Sequence, residues 1–112
     1  MYRVQLSETP VEGVTHDPDI SKQVMIGSGV VPGLTNFSRA VLVPGQAAAA
    51  HAHVDMYELY LVESGHGVMR VDGTEVDLTA GTCLVIEPGE MHELINAGNE
   101  DLAVIYFGIA PA

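Results

Sequence analysis

Short apolar runs separated by turn residues are the feature that most limits what this chain of 112 residues can fold into. Apolar residues alternate with polar ones or cluster in short runs, and each run is interrupted by Gly, Pro or Asp. This pattern is typical of β-strands, and no stretch shows the periodicity of an amphipathic helix. The sequence therefore predicts an all-β protein.

The same pattern predicts where the strands lie. The predicted strands are Gln23–Ile26, Thr35–Val43, Ala50–Val54, Glu58–Val62, Gly67–Val71, Glu75–Leu78, Cys83–Ile86, His92–Asn96 and Leu102–Phe107. The strongest hairpin signal is Asp72-Gly73, because an Asp-Gly pair suits a two-residue turn between antiparallel strands. Short strands with turns at even intervals favour a closed barrel or jelly roll over an open sheet.

The first part of the chain is patterned more weakly and contains several Gly and Pro residues. We expect residues 1–33 to form an N-terminal arm with one or two short strands, which packs on the barrel or on a partner subunit. Residues 34–112 are expected to form the barrel itself. A chain of this length can build a single hydrophobic core.

Charge and composition narrow the possible partners. The chain has 15 acidic residues against 4 Lys and Arg, for a net charge of −11, so nucleic acid and anionic membranes are not expected partners. The 47% content of hydrophobic residues exceeds what a small monomer needs, which favours a homodimer. Residues Met1–Pro10 do not resemble a signal peptide, and no apolar run is long enough to span a bilayer. We expect a cytoplasmic protein whose partner is a small-molecule substrate.

Four residues form a pattern that is typical of a metal site: His51, His53, Glu58 and His92. If His51 and His53 share a strand, their side chains point to the same face. Turns before Glu58 and His92 are expected to bring those side chains to the same place. Three imidazoles and one carboxylate suit one divalent transition metal per chain, which could be Fe, Mn, Ni, Co, Cu or Zn.

The spacing of these residues resembles the first motif of the cupin superfamily. That motif has a glycine, five residues, His-x-His, four residues, a glutamate, six residues and a second glycine. Here these positions are Gly45, His51, His53, Glu58 and Gly65, and every spacing agrees.

The second cupin motif is also present, with one departure. It has a glycine, five residues, Pro-x-Gly, two residues, a histidine, three residues and an asparagine. Here these are Gly81, Glu87-Pro88-Gly89, His92 and Asn96, so a glutamate stands where the motif has its proline. The resemblance implies a small single-domain cupin: a double-stranded β-helix barrel with a metal in its mouth, usually dimeric. It leaves the reaction open, because cupins include enzymes of many classes as well as non-catalytic proteins.

Roles can also be predicted for other residues near the motifs, in two cases with an alternative. Tyr60 shares a face with Glu58, so it is a candidate catalytic residue together with Glu58, although core packing would also explain it. Asn96 is expected to hold hydrogen bonds inside the barrel. Cys83 is expected to be a small buried apolar residue. Arg39 either clamps a carboxylate in the barrel or, as we favour, pairs with an acid on the outer face.

The functional hypothesis is a metal-dependent enzyme that acts on a small organic molecule. Ligation by N and O without thiolate leaves redox-active iron or manganese accessible, which favours dioxygenase-type chemistry slightly. The alternatives are a redox-neutral lyase, isomerase or cyclase, or a non-catalytic module that binds a metal and a small ligand.

Overall fold

The computed structural model describes residues 1–111, and these form ten strands and one short 3-10 turn at Leu6–Glu8. The strands are β1 Glu12–Val14, β2 Asp17–Ile26, β3 Leu34–Leu42, β4 Ala47–His51, β5 Tyr57–Ser64, β6 Gly67–Val71, β7 Thr74–Leu78, β8 Cys83–Ile86, β9 His92–Ile95 and β10 Leu102–Ile109. Ala112, the last residue of the predicted barrel, lies outside the described residues. Within residues 1–111, no helix is long and apolar enough to cross a membrane.

The strands form two antiparallel sheets. One has six strands in the order β1-β2-β3-β10-β5-β8, and the other has four in the order β4-β9-β6-β7. Side chains from both sheets meet in one core, whose most deeply buried members include Leu42, Met69, Leu78, Leu102 and Val104. This arrangement is a jelly-roll barrel, so the all-β double-stranded β-helix fold predicted from the sequence is confirmed.

Period-two alternation decides which side chains enter the barrel. Along β5, Glu58, Tyr60 and Val62 are buried, whereas Tyr57 and Leu61 are exposed. A strand places successive side chains on opposite faces, so one polar and two apolar residues share the inner face. The alternation therefore directs Glu58 and Tyr60 together into the interior.

The Asp72-Gly73 turn joins β6 to β7, as predicted. Both residues have positive φ angles, 47° for Asp72 and 83° for Gly73. Two consecutive positive φ values define a type I′ turn, whose twist matches that of the flanking strands. This hairpin forms one side of the four-stranded sheet.

The predicted strand over Ala50–Val54 is wrong, because β4 begins at Ala47 and ends at His51. Ala48 pairs with Leu94 and His51 pairs with His92, so three steps along β4 match two steps along β9. The extra residue is a β-bulge, which changes the direction of the side chains that follow it. Neither a short alanine run nor its flanking residues reveal such a bulge in advance.

The N-terminal residues contain more strand than expected. The predicted strand Gln23–Ile26 is the last part of β2, which pairs with β3 and extends the six-stranded sheet. The Gln23 side-chain amide donates hydrogen bonds to the carbonyl oxygens of Leu6 and Thr9, both at 3.0 Å, and so holds the 3-10 turn against β2. The division of the chain at residue 33 remains a prediction.

Three single-residue predictions have clear outcomes. Cys83 is exposed, so its predicted burial is wrong, because β8 is the edge strand and Cys83 lies on its outer face. Arg39 lies on the outer face and pairs with Glu63, with Nε and Oε2 2.8 Å apart, which confirms the favoured reading. Asn96 is buried and donates to the carbonyl oxygens of Leu42 and Glu100, at 2.9 and 2.8 Å. The role predicted for Asn96 inside the barrel is confirmed.

Replacing Gly65 with alanine should destabilise the fold more than the same change at Gly81. Both glycines have positive φ, 92° and 89°, so each variant carries the same backbone strain of about 1 kcal/mol. An added Cβ at Gly65 would lie 2.8 Å from Leu102 Cα, whereas one at Gly81 would meet nothing within 4 Å. Overpacking should lower the free energy of unfolding of the Gly65 variant by a further ~1–3 kcal/mol, as measured by urea unfolding. Equal unfolding midpoints for the two variants would contradict this.

Candidate metal centre

Four side chains converge at the mouth of the barrel, where the two sheets meet. Donor atoms of His51, His53, Glu58 and His92 all lie within 4.8 Å of one another. His51 ends β4, His92 begins β9, and these two residues pair directly across the four-stranded sheet. Glu58 comes from β5 in the six-stranded sheet. The cluster therefore joins both sheets and consists of the four residues singled out from the sequence.

The position of His53 differs from the expectation. His51 and His53 were expected to share one face of a strand, but β4 ends at His51 and His53 lies in the loop that follows. The Gly89 amide donates a 2.7 Å hydrogen bond to the carbonyl oxygen of His53, so the Pro88-Gly89 turn anchors this loop. The rings of His51 and His53 have centroids 5.0 Å apart. The loop, and not strand alternation, brings the second imidazole to the cluster.

Two of the imidazoles are oriented by backbone carbonyls. His51 Nδ1 lies 2.9 Å from the Ala49 oxygen, and His92 Nδ1 lies 3.0 Å from the Glu90 oxygen. A carbonyl oxygen only accepts, so each Nδ1 must carry a proton and donate it. In the neutral ring this leaves Nε2 unprotonated and turned towards the cluster, which is how a metal-binding histidine is usually held.

Glu58 is the centre of the hydrogen bonds inside the cluster. Its Oε1 accepts a 2.5 Å hydrogen bond from the Tyr60 hydroxyl and lies 3.0 Å from His92 Nε2. Burial alone would raise the pKa of Glu58, but hydrogen bonds from His92 and Tyr60 and the charges of nearby histidines outweigh it and lower the pKa. Glu58 is therefore a carboxylate at neutral pH.

His92 and Tyr60 respond to this carboxylate in different ways. Burial works to lower the pKa of His92, but its hydrogen bond to Glu58 prevails and the pKa is raised. The contact with Glu58 therefore favours the protonated form of His92 relative to an ordinary histidine. Burial raises the pKa of Tyr60 well above its usual range, and the Glu58 charge raises it further. Tyr60 therefore remains a phenol that donates to Glu58.

The donor set fits a divalent transition metal. Within residues 1–111, His53 Nε2 is the one buried side-chain nitrogen or oxygen without a hydrogen-bond partner. A buried polar atom with no partner is costly, and coordination to a cation would satisfy it. Glu58 and His92 are buried while His51 is exposed, so the cluster has a side that faces outward. These residues form a possible site for one ion, with three imidazole nitrogens and one carboxylate as ligands.

A cavity of about 110 Å³ lies directly beside the cluster inside the barrel. Its wall includes His51, Glu58, Tyr60 and His92, and the other residues that line it are Val14, Ile20, Ala40, Leu42, Ala48, Leu94, Val104 and Tyr106. Most of these are apolar, and among the residues that the structure describes none that lines this cavity is Lys or Arg. The cavity can hold a small molecule against the cluster but offers no side-chain cation to an anion.

Several lining residues were not singled out from the sequence, among them Tyr106, Val14 and Ile20. Tyr106 stacks on Tyr60 with ring centroids 5.7 Å apart. Its place two residues after buried Val104 on β10 is a signal that could have predicted its inward direction. Val14 and Ile20 come from the N-terminal strands, whose approach to the cavity has no signal in local sequence. His16 and His66, the two histidines outside the cluster, are both exposed.

Comparison with known proteins identifies the family. Residues 38–108, 71 of the 112 in the chain, match the Cupin_2 family, described as Cupin domain. The chain belongs to this family, and both motifs quoted above lie within the matched segment.

Two curated relatives match this chain over segments of 66 and 72 residues, with identities of 36% and 40%. An oxalate-binding protein from Thermotoga maritima is 36% identical over 66 residues, which cover 59% of this chain and 54% of that protein. The tetracenomycin polyketide synthase protein TcmJ from Streptomyces glaucescens is 40% identical over 72 residues, or 62% of this chain and 46% of that protein. The matched segments thus span about half of each relative.

Solved structures agree on the fold. A predicted oxalate decarboxylase from Thermotoga maritima superposes with a TM-score of 0.90 at 25% identity, covering 97% of this chain and 99% of that one. KdgF from Halomonas sp. superposes with a TM-score of 0.82, covering 99% and 96% of the two chains. At 17% identity the second likeness concerns the fold alone.

Metal affinity should fall as pH is lowered from 8 to 5, and the decline should begin above pH 6.5. Binding requires His92 to release the proton on Nε2. Because its pKa is raised from the usual 6.5, that proton competes with the metal at a higher pH than an ordinary histidine would. Titration calorimetry with Co²⁺ in buffers of different ionisation enthalpy should show that the number of protons released on binding increases as the pH is lowered. An affinity that is flat over this range would exclude histidine ligation.

Proposed function

We propose that this chain is a metal-dependent cupin that binds a small organic molecule through two neighbouring oxygen atoms, as in oxalate or a 2-oxo acid, and acts on it. The four-residue cluster would hold one divalent transition metal, and the molecule would occupy the adjacent cavity. The observation that carries the proposal is the position of that cavity, which lies directly on the cluster.

The chemistry of the cavity wall supports this class of ligand. An anionic oxygen placed among apolar side chains is strongly unfavourable unless a positive charge lies beside it. Among the described residues that line the cavity, none is Lys or Arg, so the bound cation is the available source of that charge. A molecule with two oxygens on adjacent carbons could contact the cation through both and place its remaining atoms against the apolar wall.

The names of two relatives point in the same direction. One curated relative is called an oxalate-binding protein, and one solved structure is described as a predicted oxalate decarboxylase. Oxalate is a small molecule whose oxygens lie on neighbouring carbons, and its size suits a cavity of about 110 Å³. These likenesses support the proposed ligand class.

Two reactions are compatible with this site. A bound ion would supply Lewis-acid polarisation of the ligand oxygens and, if it is iron or manganese, access to oxygen chemistry. We favour an oxygen-dependent reaction of the dioxygenase type, because the apolar wall excludes water and all four donors are N or O. Redox-neutral carbon–carbon cleavage is the second candidate, and the likeness to the predicted oxalate decarboxylase favours it.

Glu58 and Tyr60 are the residues that we propose as catalytic. Both line the cavity, so both would contact the bound molecule. The Tyr60 hydroxyl donates to Glu58 Oε1 and holds that carboxylate towards the cluster. Since its pKa is well above the usual range, Tyr60 keeps its proton at neutral pH and remains the donor to Glu58, while its hydroxyl oxygen can accept a hydrogen bond from the bound molecule.

Co²⁺-loaded protein should bind oxalate, as measured by titration calorimetry and by the change in the visible spectrum of the metal. Replacing His51 by alanine should weaken Co²⁺ binding by about tenfold or more and abolish oxalate binding, because one imidazole ligand is lost. His66→Ala is the matched control, because His66 is an exposed histidine outside the cluster. Oxalate binding that survives without metal, or in His51→Ala, would contradict the proposal.

Product analysis then separates the reactions. Oxygen uptake that depends on substrate and on Fe²⁺ or Mn²⁺ would support the dioxygenase type. Release of CO₂ without net oxygen consumption would support cleavage without net redox change. A ligand recovered unchanged after binding would identify a non-catalytic module.

We further propose that a second copy of the chain covers the outer face of the six-stranded sheet. Residues on β5, β8 and β10 form a contiguous apolar surface there, with exposed fractions of 46% for Tyr57, 42% for Leu61, 53% for Val85 and 46% for Ile109. Large exposed apolar patches mark interaction surfaces, and a patch carried by every copy suits a symmetric dimer. This face lies on the side of the sheet opposite the cavity.

Light scattering coupled to size exclusion should give a mass of about twice 11.9 kDa. Val85→Glu should shift the protein to a monomer, because it places a charge in the apolar surface. Val43→Glu, at another exposed valine outside this surface, is the matched control and should leave the dimer intact. A wild-type monomer, or equal effects of the two variants, would contradict the dimer proposal.

A further inference from the structure

A second chamber lies outside the cluster, between the β1–β2 hairpin and β4. Its volume is about 500 Å³, compared with about 110 Å³ for the inner cavity. One wall is the hairpin turn, residues 14–17, and the other is the alanine-rich segment of residues 48–53. Both His51 and His53 face it. Neither the motifs nor the proposed function assigns a role to this outer chamber.

The outer chamber and the inner cavity share part of their lining beside the cluster. Val14, Ala48 and His51 line both spaces. Because these residues border both spaces, the outer chamber lies next to the place that a molecule bound at the cluster would occupy. His51, the exposed member of the cluster, and His53 both line the outer chamber.

Short side chains on β4 and after it create the space. Ala48, Ala49, Ala50 and Ala52 line one wall, and each contributes a single methyl group. Strand positions usually carry larger side chains, which fit the pleated surface better. A leucine at any of these positions would fill part of the chamber.

Specific hydrogen bonds hold the hairpin over this space. Asp17 Oδ2 accepts a 3.1 Å hydrogen bond from the Ala49 amide, which is the amide at the β4 bulge. The Gln46 side-chain amide donates to the Asp19 carbonyl oxygen at 2.9 Å. The chamber is therefore bounded by two elements that are tied together along one side, at Asp17 with Ala49 and at Asp19 with Gln46.

The lining indicates the chemistry of an occupant. The alanines and Val14 offer an apolar surface, while Thr15 and His16 place a hydroxyl and an imidazole at its edge. Among the described residues that line the chamber, none is Lys or Arg, and the Asp17 carboxylate already accepts from Ala49. A phosphorylated or strongly anionic group would have no fixed positive side chain there. An uncharged apolar or aromatic group, with at most a hydroxyl or carbonyl at its tip, fits better.

We propose that the outer chamber binds the uncharged apolar or aromatic tail of a molecule whose chelating head lies at the four-residue cluster. This inference rests on the proposed function and refines it, because it predicts a substrate larger than oxalate. The β1–β2 hairpin then acts as a specificity element, whereas the four donor residues hold the head.

Two 2-oxo acids with the same head test the proposal. Phenylpyruvate carries an aromatic tail and pyruvate carries a methyl group, so the difference in their affinities for Co²⁺-loaded protein reports on the tail. Phenylpyruvate should bind about tenfold more tightly or better, because its ring leaves water for an apolar wall. Titration calorimetry, with the visible Co²⁺ spectrum as a second signal, gives both constants.

Matched variants locate the tail. Ala50→Leu should remove the preference for phenylpyruvate and leave pyruvate and Co²⁺ binding unchanged. Ala47→Leu is the control, since Ala47 lies on the same strand but does not line the chamber. Thr15→Leu narrows the chamber from the hairpin side and should reduce the same preference without altering β4.

The outcomes distinguish this proposal from the one on which it rests. Equal affinities for the two 2-oxo acids in the wild type, or equal effects of the Ala50 and Ala47 variants, would overturn the outer-chamber proposal and leave the proposed function standing. Failure of oxalate, pyruvate and phenylpyruvate alike to bind the Co²⁺-loaded protein would overturn both.

Discussion

The contact between Glu58 and His92 is the constraint on which the candidate site depends. It places a carboxylate from one sheet against an imidazole from the other, and only 8% of Glu58 and 1% of His92 are exposed. Buried ionisable groups persist when they have partners, and here Tyr60 and His92 both satisfy Glu58. The same contact joins the two sheets at the mouth of the barrel. The side chains that pack between the two sheets are thus also the ones that position the donor atoms of the cluster.

Regular spacing in the sequence made the fold and the four donor residues predictable. Asp72-Gly73 predicted its hairpin because a type I′ turn needs residues that tolerate positive φ. Alternation along β5 predicted that Glu58 and Tyr60 share the inner face. The motif spacings predicted that His51, His53, Glu58 and His92 meet, although the route by which His53 reaches the cluster was predicted wrongly.

Features that depend on pairing between distant strands could not be predicted. The bulge in β4 exists only in relation to β9, since it is the mismatch between Ala48–His51 on one strand and Leu94–His92 on the other. Exposure of Cys83 follows from the edge position of β8, which local sequence does not reveal. The hydrogen bond from the Ala49 amide to Asp17 joins residues 32 positions apart.

The hairpin at residues 12–26 and the metal-binding motifs at residues 45–96 are separate stretches of chain, tied together by side-chain hydrogen bonds such as that of Asp17 with the Ala49 amide. Evolution can therefore alter the turn at Thr15 and His16, in length or in composition, while every donor residue is retained. Related proteins with this barrel could bind new molecules after substitutions in one short surface segment. Divergence of this kind would leave the motifs recognisable long after the accepted molecules had changed.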